Sequence, residues 1–364
     1  MHPLPPPPPR QKTLFYLESL KKQNTPIVAL TAFDYPSSLA VRSADVDLCL
    51  VGDSLANVAL GYPTTRHVSL QEMIFACQAV QRGLGSPILA ASARFASPLV
   101  VCDLPFGTFE VSVEEGTRAA LRIIQEGKVD AIKIEGGEEI YPLVRTLTKF
   151  GIPVMGHVGL QPQKVSSTSG YRVQGRLARD AFTIYKQALE LQAAGVFSLV
   201  LECVPSKLAR YITENLDIPT IGIGAGSGTD GQVLVQSDMV GELTSPAHVL
   251  AGLAEAGSSE SKQDPPLASN GKQVPVPHPN APRPPKFVRT FTPGNSTIGA
   301  LRQAAVQAYT EAVRRRDFPS EGAASNDQAA AAARAEEGPA PTGESYRMKK
   351  EEWAGFLELV AKDR

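Results

Sequence analysis

The chain has 364 residues, with 36 lysines and arginines against 37 aspartates and glutamates and a formal net charge of -1. That length holds one domain of about 250 residues or more with tails, and so even a charge balance argues against the basic footprint of a nucleic-acid binder or a pull toward acidic lipid. Four scattered cysteines, Cys49, Cys77, Cys102 and Cys203, and no apolar run of membrane-spanning length argue against a disulfide scaffold, a CxxC metal knuckle or an inserted helix.

The opening MHPLPPPPPR is a polyproline segment with neither an amphipathic arginine pattern nor a hydrophobic signal core, so no targeting peptide is visible in it: either none exists or this start is not the natural one. From Pro26 the pattern becomes regular. Continuous apolar runs at Pro26–Phe33, Val46–Ser54, Leu99–Gly107, Asp130–Gly137, Val154–Leu160, Phe197–Val204 and Pro219–Gly226 predict seven strands buried on both faces. Gln232–Gly241 is an eighth candidate. Helical patterns alternate with these runs over Ser69–Gly83, Ser112–Gly127, Glu138–Gly151, Ala178–Gly195 and Ser206–Leu216. The first carries a capping-box serine and glutamate, and four of the five end at glycine. Repeated strand–helix units predict a (β/α)8 barrel, with a doubly wound sheet as the rival. A Ser296-capped helix to Arg316 follows a Pro/Ser-rich linker near 247–283. The predicted organisation is a proline-rich tail over 1–14, one domain over 15–318 and a low-complexity extension over 319–364 with a short helix around Trp353 and Phe356. The composition beyond residue 319 predicts that folding can dispense with it.

Barrel chemistry gathers where strands end. Four acids occupy such positions: Asp53, Asp103, Glu135 and Glu202. A helix cap is the plain alternative for any single acid, but four on four strands would repel unless a cation or proton joined them. Their oxygen donors suit magnesium or another hard divalent ion. Lys133, two residues before Glu135, shares its strand face and would hold a substrate carboxylate or oxyanion, form a Schiff base, or pair with Glu135. His157, between glycines in VMGHVGL, is a candidate hydrogen-bond donor or a satisfied core histidine; one such histidine makes no zinc triad. The run Ile221–Gly231 has GxGxG spacing and no Walker lysine, so close backbone approach is its expected use. Ser166–Arg176, polar and small, is either a substrate cover or a surface loop.

These segments resemble, in order, the 3-methyl-2-oxobutanoate (ketopantoate) hydroxymethyltransferase family. The matching pieces are TAFDY, VGDS, DLPFG, KIEGG, GHVGLQPQ, GYRVQGR, LECVP and IGIGAG, with TDGQVLV and PKFVRTF behind them. The resemblance covers residues 15–245 and 284–318 and is specific through its order more than through any one motif. It implies a barrel of the phosphoenolpyruvate/pyruvate superfamily. It further implies transfer of a one-carbon unit from 5,10-methylenetetrahydrofolate to 3-methyl-2-oxobutanoate, giving 2-dehydropantoate for pantothenate and coenzyme A synthesis. It implies Mg2+ held by Asp53 and Asp103 with Glu135 nearby, Ser54 and Lys133 on the 2-oxoacid together with the two aspartates, His157 in the active site, and Glu202 as general base. It implies small-molecule substrates, no nucleic acid, no membrane insertion, a homo-oligomer, and a mitochondrial location with cytoplasm as the alternative.

Charge at Lys133 and at the metal is expected to lower the pKa of Glu135, and apolar surroundings to raise that of Glu202. Pro87–Pro98 departs from the family pattern as extra residues on the side opposite the catalytic rim, either a benign insertion or a gene-model error. Another magnesium-dependent carbon–carbon enzyme of the superfamily is the nearest rival reading, weakened because Ser166–Arg176 carries no cysteine. A non-enzymatic scaffold is the third, weakened by the four intact acids.

Overall fold

A computed structural model describes residues 11–87, 89, 96–164, 172–242, 297–320 and 345–363. Most of Pro87–Pro98, the 247–283 linker and the first part of Ser166–Arg176 lie outside the described residues.

In chain order the strands are β1 (Ile27–Thr31), β2 (Leu48–Val51), β3 (Leu99–Asp103), β4 (Ala131–Glu135), β5 (Val154–Gly159), β6 (Ser198–Glu202), β7 (Thr220–Ile223) and β8 (Gly231–Leu234). All pair in parallel with their sequence neighbours, and β8 pairs with β1, so the barrel is closed and the doubly wound alternative falls. The helices are α1 (Leu14–Lys22), α2 (Tyr35–Ser43), α3 (Leu55–Val58), α4 (Leu70–Leu84), α5 (Val113–Gly127), α6 (Tyr141–Lys149), α7 (Ala178–Ala194), α8 (Ser206–Glu214), α9 (Gln236–Val240), α10 (Ile298–Arg315) and α11 (Lys350–Asp363). The eighth strand candidate is therefore half strand and half helix. The α4 capping box of Ser69 and Glu72 forms as expected. At α5 the left-handed C-terminal position falls on Lys128 and not on Gly127, and at α10 the capping side chain is Thr297.

Strand alternation divides the core in two. Inward residues such as Ala29, Leu50, Val101, Ala131, Met155 and Val200 fill the barrel, and Leu17 and Leu20 of α1 close its lower end. Outward residues such as Val28, Cys49, Ile132 and Leu199 pack beneath the helices. Below the barrel, Asp47 is fully buried and accepts from Lys12 Nζ at 2.9 Å, Arg314 at 2.7 Å and the Val28 N–H at 2.8 Å. The Tyr309 hydroxyl of α10 lies 2.9 Å from the Ala29 carbonyl and 3.0 Å from that of Gln232, so it bridges the β1–β8 seam.

The C-terminal segment is not a loose extension, and the expectation that folding can dispense with it gives way. Phe356 is completely buried, its ring centroid 6.0 Å from Tyr185 of α7 and 5.2 Å from Tyr211 of α8. Neither α7 nor α8 has a capping side chain of its own. Glu352 accepts the Ala178 N–H of α7 at 2.7 Å, and the Tyr346 carbonyl accepts the Ser206 N–H of α8 at 3.0 Å. One strap thus satisfies orphan donors of two barrel helices.

Candidate active site

The strand tips open into a cavity of about 390 Å3 whose walls include Asp53, Ser54, Asp103, Lys133, Glu135, His157 and Glu202. All seven residues singled out from the sequence are brought together. The reason is period-two alternation: inward aliphatics Val101, Ala131, Met155 and Val200 are each followed two residues later by Asp103, Lys133, His157 and Glu202. An apolar layer therefore floors a polar one.

Asp103 and Lys133 are register partners on β3 and β4, and Lys133 Nζ lies 2.8 Å from Asp103 Oδ1 as an ion pair without hydrogen-bond alignment. The salt bridge is with Asp103, across the strand pair. Asp103 Oδ2 accepts the Asp53 N–H at 3.0 Å, which ties the turn after β2 to β3. Burial, then the charge of Asp103, pushes the Asp53 carboxyl up to about 7. Burial opposes the charge of Lys133, but Asp103, Asp53 and Glu135 together outweigh it and hold the ammonium above its ordinary value.

His157 is buried and faces both walls. Its Nδ1 lies 3.3 Å from Lys133 Nζ and 3.7 Å from Glu135 Oε2; its Nε2 lies 3.2 Å from Glu202 Oε2, close but not aligned as a hydrogen bond. Burial, then Lys133, lowers its pKa, so the ring is neutral near pH 7. Glu202 is partly exposed, with 18% of its side chain accessible, and faces the cavity from β6. Gly159 takes φ +96, and a Cβ there would collide with the Glu202 carbonyl oxygen, so this close approach requires glycine.

The expected lowering of Glu135 is not found. Burial, then the charge of Asp53, raises its pKa well above the ordinary value, and Lys133 only partly offsets them. Its Oε1 accepts the Gln163 N–H at 2.7 Å. Gln163 is the residue that sequence reasoning passed over: its side-chain amide donates to Asp53 Oδ2 at 2.9 Å and to the Leu104 carbonyl at 3.0 Å. The signal was its place in GHVGLQPQ. Ser54 begins α3 without a capping bond from its side chain. The glycine run after β7 makes close backbone approaches, as expected: Gly226, at φ +77, sits against Ser206.

Among the described residues no three His, Cys, Asp or Glu side chains are grouped as a metal site. The four cysteines are free. No described helix is long and apolar enough to cross a membrane.

Residues 11–255 match the family described as ketopantoate hydroxymethyltransferase. A 3-methyl-2-oxobutanoate hydroxymethyltransferase of Emericella nidulans is 47% identical over 234 residues, 64% of this chain and 64% of the relative. The match thus spans less than two thirds of that relative's length. An enzyme of the same name from Acaryochloris marina is 48% identical over 230 residues, 63% of this chain and 85% of the relative. Among solved structures, a phosphoenolpyruvate phosphomutase from Streptomyces platensis subsp. rosaceus is similar at a TM-score of 0.48 and 10% identity, covering 67% of this chain and 88% of that one.

Proposed function

As this chain belongs to the ketopantoate hydroxymethyltransferase family, we propose that its barrel mouth transfers a hydroxymethyl group from 5,10-methylenetetrahydrofolate, with water, to 3-methyl-2-oxobutanoate. The observation that carries the reading is the division of one cavity between Lys133 with Asp103 on one wall and Glu202 on another, with His157 between them. A 2-oxoacid needs positive charge at its oxygens and a base at carbon 3, and these walls supply one each.

Mg2+ is part of this reading. Asp53 and Asp103 offer two hard-oxygen donors joined by the Asp53 N–H, and burial, then the charge of Asp103, raises the Asp53 carboxyl, a cost that a cation would relieve. Two carboxylates suit magnesium, which takes its other ligands from substrate and water. Glu135 Oε1 accepts the Gln163 N–H, so we assign Glu135 to positioning Gln163 behind Asp53. When bound, the ion supplies positive charge where the substrate oxygens become anionic.

The remaining roles belong to the chain. Lys133 donates to the same oxygens, and the Ser54 hydroxyl binds the substrate carboxylate. Lys133 donates to His157 Nδ1, so the imidazole proton sits on Nε2 and points at Glu202. Glu202 takes the carbon-3 proton. The carbanion attacks the methylene carbon, presented as the folate iminium, and water displaces the folate nitrogen and leaves the hydroxyl. The same family reading carries homo-oligomerisation and a mitochondrial or cytoplasmic location, which size-exclusion chromatography and cell fractionation check.

The test is formation of 2-dehydropantoate from the two substrates. Activity is expected with magnesium, to vanish with a chelator, and to fall to near zero in Asp53→Ala. Full turnover in strong chelator would remove the metal from the reading, and no turnover under any condition would remove the activity.

A further inference from the structure

The C-terminal strap borders a second cavity of about 590 Å3, walled by Arg176, Tyr346, Arg347, Lys349 and Glu352. It lies on the Glu202 side of the rim. Tyr346 shares a bridge with Pro205, its carbonyl accepts the Ser206 N–H at 3.0 Å, and its ring lies with the Cys203 thiol against Gly224. Arg176 lies two residues after Gln174, whose N–H donates to the Cys203 carbonyl at 2.8 Å. Two separate parts of the chain are thus anchored on the turn that follows Glu202, one at Cys203 and one at Pro205 and Ser206, and bring their cations to one place.

The charge there is unspent. Three cations and one carboxylate line the cavity, and the carboxylate, Glu352, already accepts the Ala178 N–H. Among the described residues, Arg176, Arg347 and Lys349 form no ion pair. Nothing in the hydroxymethyl transfer as derived above uses them.

We propose that this cavity, completed by the C-terminal strap, receives the glutamate tail of the folate co-substrate. The inference rests on the folate-dependent reading above. Once the pteridine presents its methylene carbon to the barrel mouth, the p-aminobenzoyl spacer carries the tail outward, and the tail is a chain of carboxylates. A cationic cavity at the rim, beside Glu202, is complementary to it. Separate carboxylates on a flexible tail match separate cations on two chain segments, and contacts of this exposed kind are individually weak but add over several charges. The strap lies beyond residues 11–255, which match the family.

The test compares tetrahydrofolate triglutamate with tail-less tetrahydropteroate by calorimetry, on the native chain and on an Arg347→Glu/Lys349→Glu double variant. The native protein is expected to bind the triglutamate about tenfold more tightly or better, with a preference that shrinks as salt is raised. The variant should lose that preference and keep its affinity for tetrahydropteroate. Equal native affinity for the two ligands, or an unchanged preference in the variant, overturns the inference. Folate-independent exchange of the carbon-3 hydrogen of 3-methyl-2-oxobutanoate in D2O is run in parallel. Absence of exchange in the native protein bears on the ketoacid reading alone, because tail binding is measured without turnover.

Discussion

Nε2 of His157 stands 3.2 Å from Oε2 of Glu202, while the opposite ring nitrogen faces the ammonium of Lys133 at 3.3 Å. The imidazole is therefore a spacer of fixed polarity. The ammonium of Lys133 can only donate, so the imidazole proton falls on Nε2, the nitrogen nearer Glu202. Lys133, His157 and Glu202 thus form one contiguous row although they come from three strands.

The first prediction concerns Glu202. A Glu202→Gln variant keeps the size of the side chain but cannot accept a proton. It is expected to bind 3-methyl-2-oxobutanoate almost normally and to lose about 10²-fold or more in carbon-3 hydrogen exchange, followed by proton NMR in D2O. Exchange at the native rate would assign the base elsewhere.

Stability should depend on pH through His157. Its folded pKa lies below the ordinary value of 6.5. At this site the unfolded chain therefore binds more protons, so the histidine's contribution to stability is full above 6.5 and is lost as pH falls below it, opposite in sign to the raised Asp53 carboxyl. Melting curves of the native chain and of His157→Asn, taken across this range, should diverge in slope, with the native chain losing more on acidification. Parallel pH profiles would show that the histidine does not carry the dependence.

The strap should be needed for stability. Phe356 is completely buried between two barrel helices, and replacing it with alanine is expected to cost about 3–5 kcal/mol in urea unfolding. A chain ended after Pro319 should be insoluble or strongly destabilised, since α7 and α8 each lose a bonding partner. A truncated chain with native unfolding behaviour would contradict this.

At the lower end, Asp47 is the group to remove. Asp47→Ala leaves Lys12 and Arg314 without their shared carboxylate and strips the Val28 N–H of its acceptor. The expected loss is about 3–5 kcal/mol by equilibrium unfolding, with little change in the catalytic residues at the other end of the barrel. A loss below about 1 kcal/mol would mean that water replaces the carboxylate without penalty.

Much of this was legible in the sequence, for identifiable reasons. The strands announced themselves because a parallel barrel buries both faces of each strand, which leaves unbroken apolar runs such as Ile27–Thr31 and Leu99–Asp103. The acids were visible because Asp103, Glu135 and Glu202 each close such a run. Gln163 was not, since an uncharged amide in a loop carries no pattern until its partners Asp53 and Glu135 are placed around it. The direction of the Glu135 shift was misjudged because a neighbouring lysine is visible in sequence while the depth of burial is not. The strap was undervalued because its composition is polar and its packing rests on very few side chains, Phe356 and Val360 above all.

The ion cluster beneath the barrel also bears on the order in which the molecule is made. Asp47 is synthesised early, beside Lys12, but its second cation arrives only with Arg314. A nascent chain that stalls before that point holds an under-neutralised carboxylate at the base of a barrel whose β1–β8 seam still lacks Tyr309. Such a fragment stays open and exposed to quality-control proteases. Closure of the barrel therefore waits for the segment that carries Tyr309 and Arg314.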